Sequence, residues 1–154
     1  MGKGVKAVYE LKHILIEGHA REKSANSLQV GVPRGLQLLL ETPDGSTSLD
    51  TIVMANLAYF QFKAQPGLWK LRIRAGRSDE LYEMQSVGSA GWDSPSVGVK
   101  GDLVTLDTFS GLTIYPRVSK RKGKETEQLL EELDAQGMKR TSFREAPRYK
   151  WRTC

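Results

Sequence analysis

The stretch "NLAYFQFKAQPGLWKLRIRAGRS" (Asn56 to Ser78) holds an aromatic run, a Pro-Gly turn and an alternation of cations. Successive side chains of a strand point to opposite faces, so Phe60, Phe62 and Ala64 go one way and Tyr59, Gln61 and Lys63 the other. Beyond the turn, Trp69, Leu71 and Ile73 form an apolar set opposed by Leu68, Lys70, Arg72 and Arg74. Each strand has one greasy and one largely polar face, as the wall of a β-sandwich requires. Pro66 and Gly67 suit the two central positions of a type II turn, a fixed φ followed by a positive one.

Similar patterns lie on both sides of this stretch. "AVYELKHILIEGHA" (Ala7 to Ala20) predicts one long strand, with Val8, Ile14 and Ile16 on one parity and Tyr9, Leu11 and Leu15 on the other. Glu10 and Lys12 interrupt the first face, so only the second half is expected to be buried on both sides. "REKSANSLQVGVPRG" (Arg21 to Gly35) reads as a polar loop. "LQLLLET" (Leu36 to Thr42) is a strand closed by the turn "PDGS". "DTIVMAN" (Asp50 to Asn56), apolar on both parities, has the pattern of a central strand.

Past the opening stretch, "AGRSD" reads as a turn, "ELYEMQSV" (Glu80 to Val87) as a strand and "GSAGWDSPSVGVKGD" as a flexible loop. "LVTLDTF" (Leu103 to Phe109) and "LTIYPRVS" (Leu112 to Ser119) flank Ser110-Gly111 like a final hairpin. These segments predict an all-β fold, an antiparallel β-sandwich of about eight strands, over residues 5–119. A short helix is expected in "KETEQLLEELDAQG", where Leu129, Leu130 and Leu133 form a stripe and Gly137 suits a C-cap. It belongs to a helical or disordered connector over 120–154 that ends in a basic tail.

Composition narrows the function classes. The chain has 154 residues, enough for one domain with a real core. No window approaches the roughly 20 apolar residues of a membrane span, and the start lacks a signal-peptide pattern. A soluble protein is expected, with no membrane partner. The net charge of +5 divides unevenly: residues 1–116 carry 12 Lys/Arg and 12 Asp/Glu, and residues 117–154 carry 11 and 6. A neutral body with a basic tail is weak support for nucleic-acid binding, and no nucleic-acid partner is expected. The single cysteine, Cys154, cannot form an internal disulfide or anchor a thiolate zinc site. His13 and His19 share a strand face but lie too far apart along it to ligate one ion readily.

Other constellations give little chemistry. Asp79 and Glu80 are adjacent in a turn and diverge, and Asp102 and Asp107 differ in parity, so neither pair suits acid/base work. The glycine loops "GVKGD" and "GSAG" lack the strand-to-helix context of a phosphate cradle. "PRVSKRKGK" (Pro116 to Lys124) reads as a solvated exit from the domain. No catalytic, cofactor-binding or metal residue is assigned, and no cofactor is expected in this segment. The rival reading is an independent carbohydrate- or single-strand-binding β-module built on Tyr59, Trp92 and the Lys70, Arg72, Arg74 row.

The runs "YELKHILIEGHA", "PRGLQL", "DTIVMANLAYFQFKAQPG" and "GRS" give the chain a specific resemblance over Val8 to Ser119. It resembles the β-sandwich domain that precedes the C-terminal catalytic domain in the UDP-glucose:glycoprotein glucosyltransferase family. "LTIYPRVSKRKG" looks like fungal members. The resemblance implies a parent enzyme of the endoplasmic-reticulum lumen. That parent transfers glucose from UDP-glucose to high-mannose N-glycans of misfolded glycoproteins, in glycoprotein folding quality control. It also implies that UDP-glucose and a divalent cation bind downstream, at an Asp-x-Asp motif that this chain does not contain. The implied partners are neighbouring domains of the same polypeptide and misfolded glycoprotein clients. Two departures stand out: Phe62 where Leu is common, and Ala58 where Gly is expected, which questions any positive-φ requirement there.

Overall fold

A computed structural model describes residues 2–23 and 30–130. Eleven strands form among them: β1 (Ile14–His19), β2 (Arg21–Lys23), β3 (Val30–Gly31), β4 (Gln37–Glu41), β5 (Ser48–Ile52), β6 (Tyr59–Ala64), β7 (Gly67–Ile73), β8 (Tyr82–Ser86), β9 (Leu103–Leu106), β10 (Leu112–Ile114) and β11 (Arg117–Lys120). Two short helices, α1 (Arg77–Leu81) and α2 (Val97–Lys100), flank β8.

The strands make three sheets, ordered β10-β1-β6, β3-β2-β11-β8 and β5-β4-β7-β9. The third is antiparallel throughout. The first two each contain a parallel pair, β1 with β10 and β2 with β11, so the fold is β-rich but mixed, not all-antiparallel. The two mixed sheets are successive halves of one ribbon. β1 passes through Ala20 into β2, and β10 passes through Tyr115 and Pro116 into β11. At the bend the Arg21 amide donates to the Pro116 carbonyl at 3.0 Å. Pro116 has no amide hydrogen to continue a ladder, which divides "LTIYPRVS" into two strands.

The expected final hairpin therefore does not form. β9 pairs with β7, and β10 lies parallel to β1. The expected long strand over Ala7–Ala20 is also shorter. Ile14 pairs with Ala64, the last residue of β6, and β10 begins only opposite Ile16, so earlier residues have no neighbouring strand. β1 is buried on one face, with Ile14, Ile16 and Gly18 inside and Leu15 outside. The "central strand" after Asp50 is an edge: β5 pairs with β4 alone, and Ile52 and Met54 are exposed. The Arg21–Gly35 "loop" contains β2 and β3, the "AGRSD" turn runs into α1, and α2 forms in the Gly-rich loop after β8. Of the expected 124–137 helix, residues 124–130 are irregular, with a turn at 125–126 and a bend at 129–130; the remainder lies outside the described residues.

One core draws on all three sheets. The predicted alternation of the opening stretch holds: Phe60, Phe62, Ala64, Trp69 and Leu71 are buried, while Lys63, Leu68, Arg72 and Arg74 are exposed. Fully burying a side chain such as Phe60 or Leu71 contributes about 1.5–3 kcal/mol. Phe60 and Phe62 meet edge-on, 5.9 Å between centroids. β6 and β7 are not a hairpin, because the Gln65–Gly67 link carries the chain from one sheet to another. The Trp69 indole N–H ties down this crossover by donating to the Gln65 carbonyl at 2.9 Å.

Two backbone positions show how closely the sheets approach. A Cβ on Gly18 would collide with the Ile114 carbonyl of β10. Gly18→Ala should destabilise the protein by about 1–3 kcal/mol, read from urea unfolding, because the obstacle is backbone. Ala58 has φ 56, the one positive value among described non-glycine residues, so this position does demand the conformation that glycine prefers. Its amide and carbonyl are held by Met54 and Ala20, which keeps it there. Ala58→Gly should relieve the strain and stabilise by about 0.5–1 kcal/mol, seen as a higher urea midpoint at unchanged slope.

Candidate functional site

The aromatic-and-cation platform that the opening stretch could have formed is not assembled. Tyr59 lies on β6 in the first sheet, whereas Lys70 and Arg72 lie on β7 in the third and Arg74 directly follows it. Tyr59 is half-buried; its hydroxyl donates to Glu17 Oε2 at 2.7 Å, and its ring meets His19 edge-on at 5.6 Å. The Glu17 hydrogen bond holds the Tyr59 phenol above its ordinary range. His19 Nδ1 is 3.0 Å from the Leu57 carbonyl, which it meets as an N–H donor. The cations are engaged across their own sheet. Arg72 reaches Glu41 at 3.2 Å and Asp102 at 3.0 Å, and Arg74 reaches Asp50 at 3.1 Å. Lys70 stands opposite Glu41 in the β4–β7 register.

The other singled-out residues are spread apart. Asp79 accepts from Arg121 at 3.0 Å while Glu80 turns to Arg77 at 3.7 Å, so the adjacent acids diverge as expected. Asp102 precedes β9 and Asp107 follows it. His13 sits at the rim of a cavity of about 420 Å³ beside the β6–β7 crossover, with Thr42, Lys63, Gln65, Leu68 and Trp69. Trp69 is 4% exposed, and its N–H is already used. Among the described residues, no group of three or more His, Cys, Asp or Glu could hold a metal ion. No helix among them is long and apolar enough to cross a membrane.

Trp92 folds back against the body. The Arg21 guanidinium carbon lies 3.6 Å from its ring centroid, and the Tyr115 ring centroid is 4.7 Å away. Arg117, register partner of Arg21, donates from Nη2 to the Ser94 carbonyl at 2.6 Å. Sequence reasoning missed this cluster because no local pattern joins residues 21, 92 and 117; they meet through the parallel β2–β11 pairing.

The basic run after Pro116 is not a free exit. Arg121 bonds the Asp79 carbonyl and carboxylate, and Lys120 bonds the Glu127 carbonyl and faces the Tyr82 ring. Glu127 gathers Lys124 at 2.9 Å and Arg77 at 2.7 Å, which brings Leu129 onto the core. These bonds, Lys124 first and then Arg77, hold the Glu127 carboxyl below its ordinary 4.5. A group lowered in this way stabilises above its unfolded value and loses that contribution as pH falls through the folded one. Leu129 methyl resonances should stay constant through neutral pH and move toward solvent-exposed positions as pH drops below 4.5. Glu127→Gln should show the exposed positions at neutral pH already.

The comparisons with known proteins agree on one family. The profile described as "UDP-glucose:Glycoprotein Glucosyltransferase" matches residues 17–131. UDP-glucose:glycoprotein glucosyltransferase 1 of Rattus norvegicus is 44% identical over 126 residues, which is 82% of this chain and 8% of that protein. The Homo sapiens protein of the same name is 41% identical over 126 residues, with the same shares. UDP-glucose:glycoprotein glucosyltransferase of Drosophila melanogaster is 36% identical over 136 residues, 88% of this chain and 8% of that one. The chain thus spans 8% of the length of these relatives. It belongs to the UDP-glucose:glycoprotein glucosyltransferase family.

Proposed function

We propose that this chain is a non-catalytic β-sandwich module of such a glucosyltransferase. It sets the relative geometry of the catalytic and folding-sensor domains and adds surface for misfolded glycoprotein clients. In this reading residues 5–119 are the module and 120–154 lead toward a downstream catalytic domain. In this reading the parent works in the endoplasmic-reticulum lumen, in glycoprotein quality control, and the run "LTIYPRVSKRKG", which resembles fungal members, supports a fungal-like parent.

One observation carries the proposal. The arginines of the opening stretch, which a ligand platform would need, are spent on carboxylates across their own sheet, Arg72 on Glu41 and Asp102 and Arg74 on Asp50. Such pairing specifies register and covers a sheet face, which suits a scaffold. UDP-glucose and a divalent cation belong, in this reading, to another part of the parent.

The test is a transfer assay. The purified chain, given UDP-glucose, a divalent cation and a denatured high-mannose glycoprotein, should transfer no glucose. Glucosylation by this chain alone would overturn the non-catalytic assignment.

A further inference from the structure

The paired arginines at the sheet bend point to a ligand site outside the family role. Arg21 on β2 and Arg117 on β11 are register partners on adjacent parallel strands, so two like charges stand side by side. The ion pairs between described residues use Arg72, Arg74, Arg77, Arg121 and Lys124, and leave both of these out. Arg117 is half-buried, and its Nε is shut away without an acceptor. Its one hydrogen bond among the described residues goes to the Ser94 carbonyl. A partly desolvated cation compensated by a single carbonyl still favours a nearby negative charge.

Arg21 is arranged to supply donors. It lies over the Trp92 ring at 3.6 Å, which uses the face of the guanidinium, and its in-plane N–H groups meet no acceptor among the described residues. Tyr115, packed on Trp92, and Ser94, fixed by hydrogen bonds to Gly91 and Ala90, keep this loop in place. The fork of Arg21, oriented by a ring, and the Nη1 group of Arg117, which makes no hydrogen bond among the described residues, suit the oxygens of a tetrahedral oxyanion.

We infer that Arg21 and Arg117, beside Trp92 and Ser94, form a binding site for a phosphate- or sulfate-type oxyanion. The site counters the like-charge repulsion at the bend and braces the loop around Trp92. It does not depend on whether the module is catalytic.

The experiment titrates inorganic phosphate into the 154-residue chain. It follows the arginine Nε–H resonances by NMR, with chloride at matched ionic strength as control. Saturable shifts at Arg21 and Arg117 with phosphate, and not with chloride, are expected. Arg21 is exposed, so Arg21→Ala should keep the fold and weaken binding by about tenfold, the loss of one charge-assisted contact. Arg21→Lys, which retains charge but not the fork, should fall between. Shifts that merely follow ionic strength, or phosphate binding unchanged in Arg21→Ala, would overturn the site.

Discussion

The parallel pairing of β1 and β2 with β10 and β11, clamped where the Arg21 amide meets the Pro116 carbonyl, is the constraint on which the rest depends. Two chain segments about a hundred residues apart bend together, each at a break in its ladder. That shared bend splits one ribbon into two sheets and directs both toward a common core. It also leaves no room at Gly18, where the Ile114 carbonyl occupies the space of a side chain. Closing such distant segments costs chain entropy, which the burial of Ile16, Phe60, Ile114 and Val118 helps to offset.

The same bend organises the surface chemistry. Tyr82 is buried beneath β11 and donates to Glu22 at 2.9 Å; burial first, then this bond, raises its phenol well above 10.0. A protonated phenol throughout neutral pH can keep donating, so Glu22 on β2 is tied to β8 across β11. On the opposite parity the bend sets Arg21 beside Arg117 and gives Trp92 a cation to cover it. The antiparallel sheet, by contrast, neutralises its cations internally through Glu41, Asp50 and Asp102. A neutral lattice on one sheet and a concentrated pair of charges at the bend come from the same near-balanced composition.

Family membership gives this division of labour a setting. The chain spans 8% of the length of these relatives, and its three sheets close one core among the described residues. The tie between Glu127, Lys124 and Arg77 draws the segment after β11 back onto that unit. That segment is thereby coupled to α1 through Arg77.

Local pattern is enough for the faces of β6 and β7, because pleat parity depends only on alternation and the apolar residues have to be inside. The family was legible as well, in long runs such as "DTIVMANLAYFQFKAQPG". Strand partners were not. Sequence neighbours suggest hairpins, and a parallel pairing of segments this far apart carries no local signal, so the sequence presents β10 and β11 as one strand and the strand through Asp50 as central, where the fold has two strands and an edge. Ala58 illustrates the same limit: its side chain hides a left-handed backbone that only the contacts to Ala20 and Met54 impose. The sequence by itself determined which side chains face inward and which family the chain joins. The tertiary structure alone decided which strands meet, and so which charges are paired and which are left facing one another, because pairing is settled by contacts between residues far apart in the chain.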